Sequence, residues 1–381
     1  MRLEEPNFGA SANNASLVNI MLKSILPHLT VPVLALLFLY CVQAGQPFFF
    51  IPILAAFNVL NLIYGEFSEK EIRELLNFYH TTRTARVLKI VNALVLIGVF
   101  AAVMRLWDQL PRTFVPTLGL GFVLGIVSGC FLVTLAHELL HGHTRTERGL
   151  ASILLLITGM PYFATDHLLG HHRYVGLRDD PTTARLGQNF YSYFFSSLRS
   201  RWQHSYGKPY PMPPALRRRV FQTNWMMLLL TILLVITIAV FSSQPAILLT
   251  LYFTQCFIAS LLYELINYIQ HYGLERTAQH DPVYAEHSWN CYFKYTNYIL
   301  FLLPLHSQHH VHQHHNDGRS LMGPRMPYVY FVMVFMALIP PLWFRKMNPM
   351  VRVVRQHMFE AKRKLSPVVN DKTSSWPKLA G

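Results

Sequence analysis

Six apolar runs set the first constraint on this chain. Residues 24–44, 46–64, 87–106, 114–136, 224–241 and 245–263 each approach the about 20 residues that a helix needs to cross a bilayer. In lipid every backbone N–H and C=O must be satisfied within the segment, so runs of this kind fold as helices. They pair into three hairpins with short outer turns. Long polar stretches follow each hairpin, at 65–86, 137–223 and from 264 onward. Composition agrees, with 52% of the 381 residues hydrophobic and only 14% charged. The expected fold is an all-α integral membrane protein of about six transmembrane helices, forming a single domain over 1–381 with a basic tail at 345–381.

Lysine and arginine orient the spans. Residues 145–219 carry eleven of them, whereas the opposite turns carry only Arg105 and Arg112. The polar stretches and both termini are therefore expected on the cytoplasmic side, which in a bacterium means the inner membrane. The formal net charge of +14 would read as a nucleic-acid footprint in a soluble domain. Here the basic residues lie between and after apolar spans, so an anionic membrane leaflet is the expected partner and nucleic acid is not. No signal peptide is expected before the first apolar run. A seventh run, 328–344, is short, carries a Pro-Pro pair and would export nine Lys/Arg if it spanned. It reads as an interfacial or re-entrant helix. The run 149–163 is too short to span and also reads as interfacial. Gly119, Gly121, Gly125 and Gly129 match close helix contact better than a dinucleotide fingerprint, because no strand precedes them.

Histidine is the second unusual feature. The chain holds 19, and the stretch LPLHSQHHVHQHH (303–315) packs six into thirteen positions. Four clusters follow apolar segments on the same expected side of the membrane. In AHELLHGH (136–143), His137 and His141 are i, i+4 on one helix face, a spacing that lets two imidazoles share a metal. TDHLLGHHRYVGLRDDP (165–181) repeats it with His167 and His171, with His172 beside them. NYIQHYG (267–273) offers His271, with Glu264 and Asn267 on a shared face. The last cluster offers His306, His309 and His310. A lone histidine is more often a surface or capping residue. Nine in four converging clusters would repel when protonated and want many partners when neutral, and metal ions resolve both problems. Imidazole suits iron, zinc and copper, and nine ligands exceed the needs of one ion, so two metals are implied. His143, His312, His314 and His315 read as solvated or outlying residues. The four cysteines form no CxxC pair, which excludes rubredoxin-type, iron–sulfur and zinc-ribbon sites within the chain.

These residues resemble the membrane-bound, histidine-rich di-iron oxygenases, and most of all the alkane hydroxylase and xylene monooxygenase family. The resemblance rests on the H-x3-HH box running into LRDDPTTARLG, on NYIQHYG, and on LHSQHH preceded by HSWN at 287–290. It covers most of the chain. It implies two iron ions held by His137, His141, His167, His171, His172, His271, His306, His309 and His310. It also implies O2-dependent hydroxylation of an unactivated C–H bond, such as a terminal methyl, in an alkane or alkyl-aromatic. Asp166, Gln270 and Asp179 depart from the acidic residues common in the family, without removing a ligand. Electrons must come from outside, since the chain has no haem or flavin signature. A separate rubredoxin or ferredoxin with its reductase is the expected partner. Glu138, Asp180 and Glu264 are candidate carboxylates for orienting ligand imidazoles. Asp180 alternatively forms an Asp-Pro turn, and Glu138 alternatively pairs with an arginine such as Arg145. A fatty acyl or lipid desaturase or hydroxylase with the same centre is the alternative function. A zinc intramembrane protease explains only HELLH, and a metal transporter expects more polar spans than these.

Overall fold

A computed structural model describes residues 14–109, 111–279, 281–311 and 322–365. Expectations placed on the first thirteen residues, on His312, His314 and His315, and on the end of the tail lie outside the described residues. Secondary structure among the described residues is helical, with only isolated β-bridges at Glu66–Phe293 and Asn290–Arg325. The chain divides into two compact units. One is drawn from Met1–Ala164, Gln222–Tyr263 and Tyr292–Pro304, the other from Thr165–Phe221, Glu264–Cys291 and Leu305–Gly381.

Among the described residues five helices are long and apolar enough to cross a membrane: Pro47–Tyr64, Arg83–Asp108, Phe114–Leu140, Pro214–Phe241 and Pro245–His271. A bent pair, Tyr330–Ala337 with Pro340–Glu360, would make six if counted as one span. The protein is a multi-pass membrane protein. The first expected span belongs to the helix Asn14–Gln43, whose apolar stretch among the described residues, His28–Gln43, is shorter than the others. The bent pair turns by 118°, so the run 328–344 is not one straight rod. The cause is local: Pro340 and Pro341 lack the N–H that a continuing helix would use, and they sit instead at the start of a new one.

In the first unit, small residues set the packing. Cβ atoms added at Gly121, Gly125 and Gly129 would lie 2.7, 2.4 and 3.0 Å from Thr254, Ile258 and Leu262. Only glycine lets these two spans approach so closely. Large apolar residues on the outer faces, among them Leu62, Val115, Phe241 and Phe257, stay exposed for lipid. The amphipathic helix Glu69–Thr81 starts at a capping box between Ser68 and Glu71 and buries Ile72, Leu75, Leu76 and Tyr79. The spans are less purely apolar than composition predicts. Lys89 and Asn92 are buried within Arg83–Asp108, Asn92 donating to the His28 carbonyl at 3.2 Å.

In the second unit, Trp343, Met347 and Val351 recur every fourth residue along Pro340–Leu365 and are fully buried. Tyr268 and Tyr272 meet the Trp343 ring at 5.2 and 5.3 Å. Gly273 adopts φ +71° beside Val351, a conformation and a closeness that suit glycine alone.

Candidate metal centre

Seven of the nine predicted ligands lie in the second unit, and all seven meet there. The Nε2 atoms of His171, His271, His306 and His310 converge. His171 is 3.1 Å from His310, His310 is 3.0 Å from His306, and His306 is 2.9 Å from His271. All four residues are at most 2% exposed. A second group adjoins them. His172 Nε2 is 2.9 Å from His167 Nε2 and 3.0 Å from His309 Nε2, and His309 lies 3.4 Å from His167. Nitrogens bound to one ion at about 2.0–2.1 Å would sit roughly 3 Å apart, so the spacing suits a shared cation. Burial and the neighbouring His306, His171, His172 and His271 push His310 well below the usual histidine range. It is held as neutral imidazole, the form that binds metals. The donor set is imidazole nitrogen, fitting iron, zinc or copper and not calcium or magnesium.

The second box owes its geometry to an unexpected winding. Asp166–His171 is a π-helical turn, not an α-helical one. Closing i→i+5 hydrogen bonds widens the turn, so both i+4 and i+5 come round beneath residue i. His167 thus meets His171 at 5.5 Å and His172 at 4.4 Å between ring centroids. Gly170 makes room for Tyr210, whose ring would lie 2.5 Å from any added Cβ.

The three candidate carboxylates find different partners. Asp180 Oδ2 lies 3.1 Å from His171 Nδ1 and accepts from the Thr182 and Thr183 hydroxyls at 2.5 and 2.9 Å. Burial alone would raise its pKa, but the charge and hydrogen bond of His171 outweigh that and hold Asp180 below the usual carboxylate range. Glu264 instead faces Arg201, which donates Nε–H to it at 2.6 Å, with Tyr193 and Ser197 donating at 3.2 and 2.8 Å. Arg201 also bonds Asp166, so one fully buried guanidinium joins the residue before His167 to the helix that ends at His271. Burial, with Asp180 and Glu264 nearby, raises Asp166 despite Arg201. Arg276 holds the following loop, donating to the Val175, Arg173 and Asp281 carbonyls at 2.6, 2.8 and 2.7 Å. Sequence reasoning missed Arg201. Its signal is position: it falls on the same face as Phe190, Tyr193, Phe194 and Ser197, the buried stripe of Phe190–Trp202.

His137 and His141 belong to the first unit, at the end of Phe114–Leu140, their rings 5.4 Å apart. Glu138 between them pairs with Lys89 at 3.1 Å, both buried, with His80 at 3.9 Å. Lys89 thus takes the part expected of Arg145. Burial pushes His141 down to about 4, against the opposing pull of Glu138. A small polar cavity lies here, lined by His80, Arg86, Lys89, Glu138, His141 and Glu147 among others.

Residues 113–328 match the family model described as fatty acid desaturase. Over 275 residues the chain is 34% identical to alkane 1-monooxygenase 1 of Pseudomonas aeruginosa, covering 67% of each sequence. An alkane 1-monooxygenase of Ectopseudomonas oleovorans is 30% identical over 314 residues, which is 78% of this chain and 76% of the relative. The xylene/toluene monooxygenase hydroxylase component of Pseudomonas putida is 28% identical over 268 residues, 66% of this chain and 69% of the relative.

Proposed function

The chain belongs to the alkane 1-monooxygenase family, and on that premise we propose that it hydroxylates an unactivated C–H bond, at a terminal methyl, in an alkane or alkyl-aromatic. The overall change is R–H plus O2, two electrons and two protons giving R–OH and water. The observation that carries this reading is the meeting of seven imidazoles in the second unit, six of them buried. The proposed ligands are those seven together with His137 and His141, holding two iron ions, and 1–381 acts as one functional domain. Iron, when bound, would supply the activation of O2 and the oxidising power that a methyl C–H bond demands.

The chain's own residues orient and shield. Asp180 keeps the His171 proton on Nδ1, which leaves the Nε2 lone pair turned toward His310. Thr182 and Thr183 hold that carboxylate in place. Arg201 pairs with both Asp166 and Glu264 beside the ligands, keeping the two carboxylates out of the nitrogen donor set. Burial of His171, His271, His306 and His310 keeps bulk water from the donor atoms. An apolar substrate partitions into the bilayer that the exposed span faces contact. The histidine boxes and termini face the cytoplasm of the inner membrane, and a rubredoxin or ferredoxin with its reductase delivers the electrons.

The desaturase-type family model favours one alternative, removal of two hydrogens from a fatty acyl chain. Cells expressing the protein, supplied with an alkane, an alkylbenzene and a fatty acyl mixture, separate the two by mass spectrometry of products. A terminal alcohol carries the hydroxylase reading. An alkene as sole product overturns it.

A further inference from the structure

The imidazoles of the second unit come from segments far apart in sequence, and their spacing needs a brace. His271 ends Pro245–His271, and His306 begins the short helix His306–Val311. Their Nε2 atoms are 2.9 Å apart although 35 positions separate them. Two adjacent residues bond to both sides. The backbone N–H of Trp289 donates to the Gln270 carbonyl at 2.8 Å, and its indole N–H donates to the Tyr272 carbonyl at 2.9 Å. Those carbonyls stand immediately before and after His271. Next in the chain, Asn290 Oδ1 accepts from the Ser307 backbone N–H at 2.9 Å and from its hydroxyl at 3.0 Å. Leu305, ahead of that helix, carries no acceptor, so a distant asparagine does what a capping side chain does elsewhere.

Asn290 is itself fixed on every side. Its Nδ2 donates to the Ser288 and Pro324 carbonyls at 3.0 and 3.4 Å. Its backbone N–H donates to Pro324, and its carbonyl accepts from Met326, both at 2.8 Å. Gly323 lets that segment lie close, since a Cβ there would fall 2.3 Å from the Ala285 carbonyl and 2.5 Å from Asn290 Nδ2. Trp289 and Asn290 are 1% and 0% exposed.

We propose that Trp289 and Asn290 are positioning residues that splint His271 to the helix of His306, His309 and His310, and so set how tightly a metal is held by His171, His271, His306 and His310. This rests on the metal-centre reading above. A backbone hydrogen bond lost on either side frees one ligand segment to slip against the other, and partners at this remove from a metal commonly change affinity about 10- to 100-fold.

The test uses the full chain, purified metal-free in detergent and titrated anaerobically with Fe(II), and separately with Co(II), whose absorption reports the ligand field. Asn290→Ala weakens Fe(II) binding about 10- to 100-fold. Asn290→Asp keeps the oxygen acceptor toward Ser307 but loses the donor to the Ser288 and Pro324 carbonyls, so it recovers part of that loss. Trp289→Phe keeps the ring, loses the bond to the Tyr272 carbonyl, weakens binding and shifts the Co(II) bands. Melting of each metal-free protein separates site from fold, because a merely structural role lowers the melting temperature without the Asn290→Asp rescue of affinity. If Asn290→Ala does not fold, Trp289→Phe and Ser307→Ala carry the same expectation. Wild-type affinity in Asn290→Ala or in Trp289→Phe overturns the splint, as does an Asn290→Asp protein as weak as Asn290→Ala. A wild-type chain that takes up no metal at all overturns the metal-centre reading first, and the two failures are distinct.

Discussion

His137/His141 and His167/His171 have the same spacing and nearly the same ring separation, 5.4 and 5.5 Å, yet they build different environments. The first pair lies on an α-helical turn that follows a π segment at Ser128–Val133, and the glutamate between its members is neutralised by a buried lysine. The second pair lies on a π turn that brings in His172, and its neighbours are an oriented aspartate and a buried arginine shared by two carboxylates. Identical spacing therefore brings two rings together and nothing more. Winding decides whether a third joins, and partners distant in sequence decide the charge around them.

The strongest test of this contrast is the third imidazole itself. His172→Ala and His309→Ala should each abolish product and lower iron per chain, measured by mass spectrometry and metal analysis. His314→Ala should leave iron near wild type. Full iron and rate in His172→Ala would reduce the second box to a pair like the first. Next in size is Arg201→Met, which leaves Asp166 and Glu264 buried without a counter-charge. Breaking such a buried pair costs about 3–5 kcal/mol, read by denaturant unfolding. Lys89→Met, which strands one carboxylate instead of two, should cost less, and the reverse order would break the comparison. Asp180→Asn should weaken Fe(II) binding about 10- to 100-fold, because the group holding the His171 ring loses its charge. Glu264→Gln, whose partners are Arg201, Tyr193 and Ser197, should affect unfolding more than metal affinity.

The smallest effect belongs to the first region. Glu147 closes the capping box of the helix Arg145–Ile157 with Thr144. Burial would raise its carboxyl, but the Thr144 side chain and backbone, with Lys89 and Arg86, hold it below the usual range. A lowered folded value means its charge stabilises fully above the ordinary glutamate pKa of about 4.3 and ceases to as pH falls through the lowered one. Glu147→Gln should cost about 1 kcal/mol near neutrality, the size of a helix cap. The melting-temperature gap from wild type should close in acid, and a constant gap would assign the effect to packing.

Much of this was legible in the sequence because it depends on local pattern. Hydropathy marks the spans from Arg83 to His271, since length and apolarity alone decide whether a helix can cross lipid. The histidine spacings name the residues that meet. What stayed hidden depends on long-range partners. Nothing near Glu264 shows that Arg201, 63 residues away, takes its carboxylate. Lys89 lies inside a span because Glu138 awaits it 49 residues on. The π turn at Asp166–His171 has the spacing of an α-helix in sequence, and Gly170 against Tyr210 shows only in three dimensions.

The splint at Trp289 and Asn290 bears on how such a chain can change over generations. Because His271 and the His306 helix are clamped by two neighbouring residues, their register does not depend on the length of the path between them. Surface stretches within 274–286 can gain or lose residues, as loops generally do, and the clamp still closes in the same place. Within 306–310 the opposite holds. His306, His309 and His310 share one short helix, so a single inserted residue turns those after it away from those before it. Length variation among relatives should therefore collect in the first stretch and be absent from the second.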